Sequence, residues 1–279
     1  MIKKLLIDKT LNLIQEIRLI HALTESSFEI SLPNLEAAKF DNLKDKFGVN
    51  LLDHDSDSFD ISEYIEISHS EPLTSIGEIS KPLIFPHSIT SYCRSLWRET
   101  RDFRYSFQGV ITHQRKSLIE NWIEENITYK RIHLPSKDNF FIKLRSKLLS
   151  KIGLNDTIKQ QVGNLLLYSS DRGRKFPEKA WDEEYFKMLA NSQFVLCPSG
   201  NYVWSYRFFE SILCGAIPIV EKRCKAYDGF QFASFKDQAS NLRWSEEIAV
   251  SNYNLCIQKL TVPKLTLDSE LNKILKSIY

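Results

Sequence analysis

The stretch FVLCPSGNYVWSYRFFESILCGAIPIVEK, residues 194–222, contains a short apolar run, a glycine-containing loop, a helical pattern and a second apolar run. The first run ends at Pro198, and Ser205 is a suitable N-cap for the helix that follows. Gly215 fits the position just after this helix, and Pro218 prevents the helix from continuing. The stretch therefore predicts a strand, a loop, a helix and a second strand.

The same alternation extends upstream of this stretch. The apolar runs FRYSFQGVIT (103–112) and LLLYSS, which ends at Ser170, are separated from each other and from the opening stretch by helical patterns such as RKSLIENWIEEN and EEYFKMLANS. Short apolar strands that alternate with helices are typical of a doubly wound parallel sheet, so we predict an α/β fold of Rossmann type. Nearer the N-terminus we expect a helix near 3–22 and another near 34–46. The run KPLIFP, which ends at Pro86, has the length of a buried strand.

Composition and charge narrow the class of protein. The chain has 279 residues, of which 43% are apolar and 26% charged, as in a globular protein with a sizeable core. The net charge is only +2, which argues against wrapping nucleic acid or coating an anionic membrane, because both need a field of one sign. Five scattered cysteines without C-x-x-C spacing disfavour a disulfide framework or a structural zinc site. Charged residues interrupt the apolar N-terminus, so we expect no membrane span, no targeting signal and a cytoplasmic location.

Residues around the start of the predicted helix suit an anionic, nucleotide-like ligand. In open α/β sheets, ligands bind at the carboxyl ends of strands, where helix N-termini favour phosphate. Ser199 and Gly200 allow backbone N–H groups to approach a ligand closely. Arg207, in the first helical turn, can form a forked contact with a pyrophosphate. Glu210, on the same face, is placed to accept hydrogen bonds from ribose hydroxyls; the alternative for this pair is an intrahelical ion pair.

The run from Phe194 to Val220, with its P-x-G, S-x-R-x-x-E and C-G-A-I-P-I-V elements, resembles the donor-binding signature of exostosin-like glycosyltransferases, glycosyltransferase family 47. Upstream, Phe107, Gly109 and Arg115 form an F-x-G-x-x-x-x-x-R pattern that is similar to the first strand and turn of the same family's donor domain. No motif of this kind is found in the N-terminal third of the chain.

The resemblance implies a GT-B-like fold, in which two Rossmann-type domains face a central cleft. It also implies a nucleotide-sugar donor, usually a UDP-sugar, a glycan acceptor, and inversion at the anomeric carbon with no cofactor and no obligatory metal. We expect an acceptor-side domain over 1–98, a donor-binding domain over 99–255, and a C-terminal helical segment over 256–279 that packs back on the first domain. The compact, unanchored chain suggests a bacterial or virus-encoded enzyme. Its size resembles that of compact xylosyltransferases of algal viruses, so xylose is the suggested sugar.

Carried onto these positions, the resemblance implies that Ser205 and Arg207 hold the diphosphate and that Glu210 holds the ribose. Gly109 would let the donor approach the turn. His113 and Arg115 would lie nearby as phosphate-side or sugar-side contacts.

Two further loops carry chemically useful side chains. The loop DRGRKFP places Arg172 and Arg174 after an apolar strand, where they either clamp the donor phosphates or form a solvated basic turn. Asp53 and Asp55 form a D-x-D pattern after another apolar run, as in metal-dependent GT-A transferases. For this acidic loop we favour a solvated loop or the rim of the acceptor cleft.

An inverting transfer needs a general base that takes the proton of the acceptor hydroxyl. We expect this base from the N-terminal half of the chain, with His87 and Asp55 as catalytic candidates and with His69 and Glu71 as further ones. Two alternative functions remain open at this point. One is a metal-dependent transferase that uses Asp53 and Asp55, and the other is a non-catalytic glycan-binding module.

Overall fold

The computed structural model describes residues 3–53, 58–127, 134, 157–170 and 174–278. The chain divides into two compact units, each described by itself below. The first unit comprises Met1–Tyr92, Arg174–Asp182 and Cys256–Tyr279, and the second unit comprises Cys93–Gly173 and Glu183–Leu255.

The segment 174–182 belongs to the first unit because its backbone is bonded there. Arg18 donates to the Ala180 carbonyl at 2.7 Å, and Lys179 donates to the Asn12 carbonyl at 2.8 Å. The sequence predicts this segment within a domain over 99–255, since a pattern of local strands and helices carries no sign of such a return.

A four-stranded parallel sheet is the framework of the first unit. Its strands are paired in the spatial order β3-β2-β1-β4, with chain-order bounds β1 (Lys4–Leu6), β2 (Glu29–Leu32), β3 (Leu52–Asp53) and β4 (Phe59–Asp60). A second, antiparallel sheet consists of β5 (Ile65–Ser68), β6 (Leu73–Ile76) and β7 (Ile79–Lys81). The helices are α1 (Ile14–Thr24), α2 (Asn34–Ala37), α3 (Asp41–Phe47) and α4 (His87–Ser95), and 3-10 turns cover Ala38–Phe40 and Ser62–Tyr64. The end of α4, from Cys93, is counted with the second unit.

Two predicted elements of the first unit are wrong. The helix expected near 3–22 begins only at Ile14, because Leu5 and Leu6 are buried in β1, where they pair with neighbours on both sides. The run KPLIFP is buried from Leu83 to Pro86, but it pairs in no sheet beyond Lys81. Its two prolines lack an N–H, so they cannot donate to a strand ladder.

The second unit is built on a six-stranded sheet. Its elements in chain order are β8 (Phe103–Val110), α5 (His113–Asn126), β9 (Thr157–Val162), β10 (Leu165–Ser170), α6 (Glu183–Ala190), β11 (Ser192–Cys197), α7 (Tyr206–Leu213), β12 (Ile217–Val220), β13 (Ala233–Ser234) and α8 (Glu246–Leu260), with 3-10 turns at Lys225–Tyr227 and Ala239–Asn241. The last turn of α8, from Cys256, is counted with the first unit. The strand order is β13-β12-β11-β8-β10-β9, and only β9 runs antiparallel to its neighbour. The last helix, α9 (Lys264–Ile278), belongs to the first unit.

This topology confirms the predicted doubly wound parallel sheet. From β8 the chain first builds β9 and β10 on one side and then crosses to β11 on the other side. The carboxyl ends of β8 and β11 therefore form a topological switch point, which is where open α/β sheets bind their ligands. Buried aromatic side chains, among them Tyr105, Phe107, Trp122 and Phe194, pack on the sheet and hold these strand ends in place.

The strand-loop-helix-strand unit predicted from residues 194–222 is also confirmed, as β11, α7 and β12. Gly215 has φ 75°, the left-handed conformation expected just after a helix. Among the described residues, no helix combines the length and the apolar character needed to cross a bilayer.

Candidate functional site

The predicted site residues of the second unit meet at the switch point between β8 and β11. Gly109 is the second-last residue of β8, and Ser199 and Gly200 lie in the loop that follows β11. Helix α7 starts a few residues later, so its N-terminus faces the same edge of the sheet. The topology thus gathers residues that lie about ninety positions apart in the chain.

Arg207 occupies the first turn of α7 and reaches back to β8. Its guanidinium carbon lies 4.6 Å from the ring centroid of Phe107, a cation–π distance. A Cβ atom on residue 109 would collide with the Nη2 atom of Arg207. Position 109 must therefore be glycine if the arginine is to lie along this strand end.

Arg115, on α5, ties the ends of the two strands together. Its Nε donates to the Ser199 carbonyl at 3.0 Å and its Nη1 donates to the Val110 carbonyl at 3.1 Å. Its third nitrogen, Nη2, packs against Gly200, where a Cβ would collide with it. Two of the three guanidinium nitrogens are therefore engaged by the backbone.

The two arginines put like charges side by side. Burial and, to a smaller extent, the charge of Arg207 lower the pKa of Arg115 to about 10, while Cys197 opposes the shift. Arg115 still carries its charge at neutral pH. In the described part of the chain, neither guanidinium forms a salt bridge with a carboxylate, so the pair is a ready site for an anion.

The start of α7 leaves hydrogen-bonding atoms without partners. Ser205 has the extended backbone of an N-cap, but its side chain caps no helix N–H. Within the described part of the chain, its Oγ is buried without a hydrogen-bond partner, and so are Nε and Nη1 of Arg207. Since buried polar groups are normally satisfied, these atoms indicate a site built for a ligand rich in acceptors.

Glu210 lies one turn deeper in α7 and is only 4% exposed. The Tyr185 hydroxyl, from α6, donates to its Oε2 at 2.8 Å. The alternative of an ion pair between Glu210 and Arg207 is not observed. Tyr185 fixes the carboxylate, and the predicted contact of Glu210 with a ribose stays a prediction.

The remaining predicted residues have other surroundings. His113 is the exposed first residue of α5. Arg174 belongs to the first unit, where it pairs with Asp182 at 3.4 Å. Arg172 and Asp55 lie outside the described residues. Asp53 ends β3, and its predicted role in a metal site is not tested.

His87, also in the first unit, is the exposed first residue of α4 and not the end of a strand. Its Nε2 lies 3.0 Å from the Val262 carbonyl, so this nitrogen carries the hydrogen in that contact. Its Nδ1 is then the nitrogen that can accept a proton.

Four residues at the site were not singled out from the sequence as binding residues. Glu221 accepts a hydrogen bond from the Ser199 N–H at 3.3 Å; it follows β12 directly, and the rule of strand ends could have found it. Phe107 was noted only as part of a motif. Tyr185 and Tyr227 come from other elements, and no local pattern points to them.

Comparison with known proteins adds the following. The family model of the Exostosin GT47 domain matches residues 65–232, more than half of the chain. No curated protein matches. The crystal structure of Anabaena HepE in complex with UDP is similar over 99% of this chain and 100% of that chain, with 9% sequence identity and a TM-score of 0.48. The crystal structure of AviGT4, a glycosyltransferase involved in avilamycin A biosynthesis, is similar over 99% of this chain and 98% of that chain, with 10% identity and a TM-score of 0.46.

Proposed function

The chain belongs to the exostosin GT47 family of glycosyltransferases, and from this premise we propose that it transfers a sugar from a UDP-sugar to a hydroxyl group of a glycan. We assign it a GT-B-like fold, with the donor bound by the second unit and the acceptor by the first. We further propose that the reaction inverts the anomeric carbon, that xylose is the donor sugar, and that no metal ion is required.

One observation carries the proposal. Arg115 and Arg207 meet the N-terminus of α7 at the switch point of a doubly wound sheet. Among the described residues these two arginines have no acidic partner, and buried donor atoms at the site lack partners. A diphosphate has two negative groups and many acceptor oxygens, so it satisfies both the charge and the hydrogen bonds. UDP is proposed as the nucleotide because it is the usual donor nucleotide of the family.

The same groups suit the chemistry of the transfer. When the bond between the sugar and the diphosphate breaks, negative charge builds up on the leaving phosphate. Arg207 and the N-terminus of α7 stabilise this charge from fixed positions, which lowers the barrier without a metal ion. Glu210, held by Tyr185, would orient the ribose and thereby the anomeric carbon.

The proton of the acceptor hydroxyl needs a base on the opposite face of the sugar. His87 and Asp55 remain the candidates in the first unit. With Nε2 held by the Val262 carbonyl, His87 would accept the proton on Nδ1.

A nucleotide-binding experiment tests the donor class. Thermal unfolding is followed with UDP, GDP and CMP, and we expect UDP to raise the melting temperature, since a ligand stabilises the state that binds it. Arg207→Ala should abolish the shift, whereas Arg243→Ala, at an exposed arginine of the same unit, should leave it unchanged. A chain that binds oligosaccharides but no nucleotide would be a glycan-binding module, and the proposal would fail.

A transfer assay tests the finer points. UDP-xylose is compared with UDP-glucose and UDP-glucuronic acid on a panel of oligosaccharide acceptors, and the anomeric proton of the early product is recorded by NMR. Inversion predicts a β-linked sugar from an α-linked donor. Loss of activity in EDTA, restored by Mn²⁺, would contradict a metal-free reaction and point instead to Asp53 and Asp55.

A further inference from the structure

Tyr227 belongs to the 3-10 turn that follows β12, and its hydroxyl lies at the start of α7. The Tyr227 Oη accepts a hydrogen bond from the Ser205 N–H at 2.8 Å. The ring stacks on Phe208, with centroids 3.7 Å apart and an interplanar angle of 15°, and the residue is 2% exposed. The hydroxyl is therefore fixed against the N-cap of the helix.

Among the described residues this hydroxyl donates no hydrogen bond, although the Ser205 side chain lies close by. A phenol oxygen that accepts one bond can still donate one. Burial, aided by the nearby thiol of Cys197, raises the pKa of Tyr227, so the phenol stays protonated at neutral pH. The Cys197 thiol also feels the charge of Arg207, which puts both groups around the same strand end.

We propose that Tyr227 is a further residue of the diphosphate site, where its hydroxyl accepts the Ser205 N–H and donates its own hydrogen to a phosphate oxygen. This inference rests on the proposed function. In the described part of the chain, Ser205 Oγ at the N-cap and Nε and Nη1 of Arg207 in the first turn of α7 are buried without partners, and all three can donate. A phosphate on the first turn of α7 would lie within reach of a hydroxyl bonded to the N-cap, and it would satisfy these donors together.

The test removes only the hydroxyl. Tyr227→Phe keeps the ring that stacks on Phe208, and affinities for UDP, pyrophosphate and uridine are measured by calorimetry. We expect UDP and pyrophosphate to bind about 10-fold more weakly, as for the loss of one hydrogen bond to a charged group, and uridine to bind unchanged. The matched control is Tyr105→Phe. Tyr105 is also buried, but it lies near the start of β8, away from Gly109, and its hydroxyl donates to the Ala239 carbonyl. This variant should lower the melting temperature and leave all three affinities as they are.

Each outcome of these measurements supports or overturns the role of Tyr227 in the diphosphate site. Equal UDP affinity in Tyr227→Phe and wild type, or an equal loss for uridine, would overturn the role of Tyr227 and leave the proposed function standing. If wild type binds no UDP, the proposed function fails, and pyrophosphate alone tests the anion contact. Should Tyr227→Phe not fold, the structure of wild type with UDP takes its place: Oη about 3 Å from a phosphate oxygen supports the inference, and a separation beyond about 4 Å overturns it.

Discussion

Arg207 and Arg115 bring the same charge to the same strand ends, but the protein holds them differently. Arg115 donates to two backbone carbonyls, whereas Nε and Nη1 of Arg207 are buried without partners. An arginine whose hydrogen bonds are satisfied contributes to the fold. One whose donors are unsatisfied contributes little to the fold and is available to a ligand.

This contrast predicts that substitutions of the two arginines have different effects on binding and stability. Arg207→Ala should weaken UDP binding by at least about 10-fold while shifting the melting temperature by no more than about 2 °C, because among the described residues it loses the contact with the Phe107 ring but no hydrogen bond. Arg115→Ala should weaken binding and also lower the melting temperature, because the Ser199 and Val110 carbonyls lose their donor. Calorimetry and thermal unfolding check both. A larger thermal loss in Arg207→Ala than in Arg115→Ala would contradict this division.

Glu210 makes a separate prediction about the ribose. Glu210→Gln keeps the size of the side chain and an oxygen for the Tyr185 hydroxyl, but it removes the charge. Wild type should bind UDP more tightly than 2′,3′-dideoxy-UDP, and the variant should lose most of that difference, so that UDP binds about 5- to 10-fold more weakly. The two nucleotides are titrated into both proteins. A variant that loses equal affinity for both would show that Glu210 does not contact the hydroxyls.

At the scale of the element, helix α7 is the part that the sequence predicts best. Ser205 and Gly215 mark its ends, and the apolar runs around it are strands, because these signals depend on local backbone chemistry. What could not be predicted is that the Ser205 side chain leaves the cap free. Nor could the sequence predict that the Ser205 N–H is bound by Tyr227, a residue of another element, or that Glu210 is held by Tyr185.

The C-terminal end of α7 supports a prediction on stability. Gly215 has φ 75°, and a Cβ there would collide with the Trp97 ring and the Arg101 guanidinium. Gly48 ends α3 with φ 65°, but a Cβ there meets nothing within 4 Å. Gly48→Ala should therefore cost only the backbone strain, about 1 kcal/mol, and Gly215→Ala at least about 2 kcal/mol more. Differential scanning calorimetry compares the two. Equal losses would mean that Trp97 and Arg101 move aside freely.

At the scale of the whole molecule, the near-zero net charge fits a site in which a few cationic side chains act through their position and not through the total charge of the protein. The sequence predicted the α/β class and the loop between β11 and α7, because both follow from a repeated local pattern. It did not predict that residues 174–182 return to the first unit, or that KPLIFP stays unpaired. Both depend on contacts between distant segments, such as that of Arg18 with Ala180.

The first unit also makes the protein sensitive to acid. Burial, together with the charge of Arg18, lowers the pKa of His21 from 6.5 to about 3, and its Nε2 contacts the Ser88 hydroxyl at 3.0 Å. The unfolded chain binds a proton here below pH 6.5, while the folded chain stays neutral down to about pH 3. Stability is therefore complete above pH 6.5 and falls as the pH drops through this window, by about 2 kcal/mol between pH 7.5 and pH 5. His21→Gln, which keeps a partner for Ser88 but cannot titrate, should show a smaller drop in melting temperature over this range. His113→Gln, at an exposed position, should follow wild type, and identical curves for wild type and His21→Gln would rule out His21 as the source of the acid sensitivity.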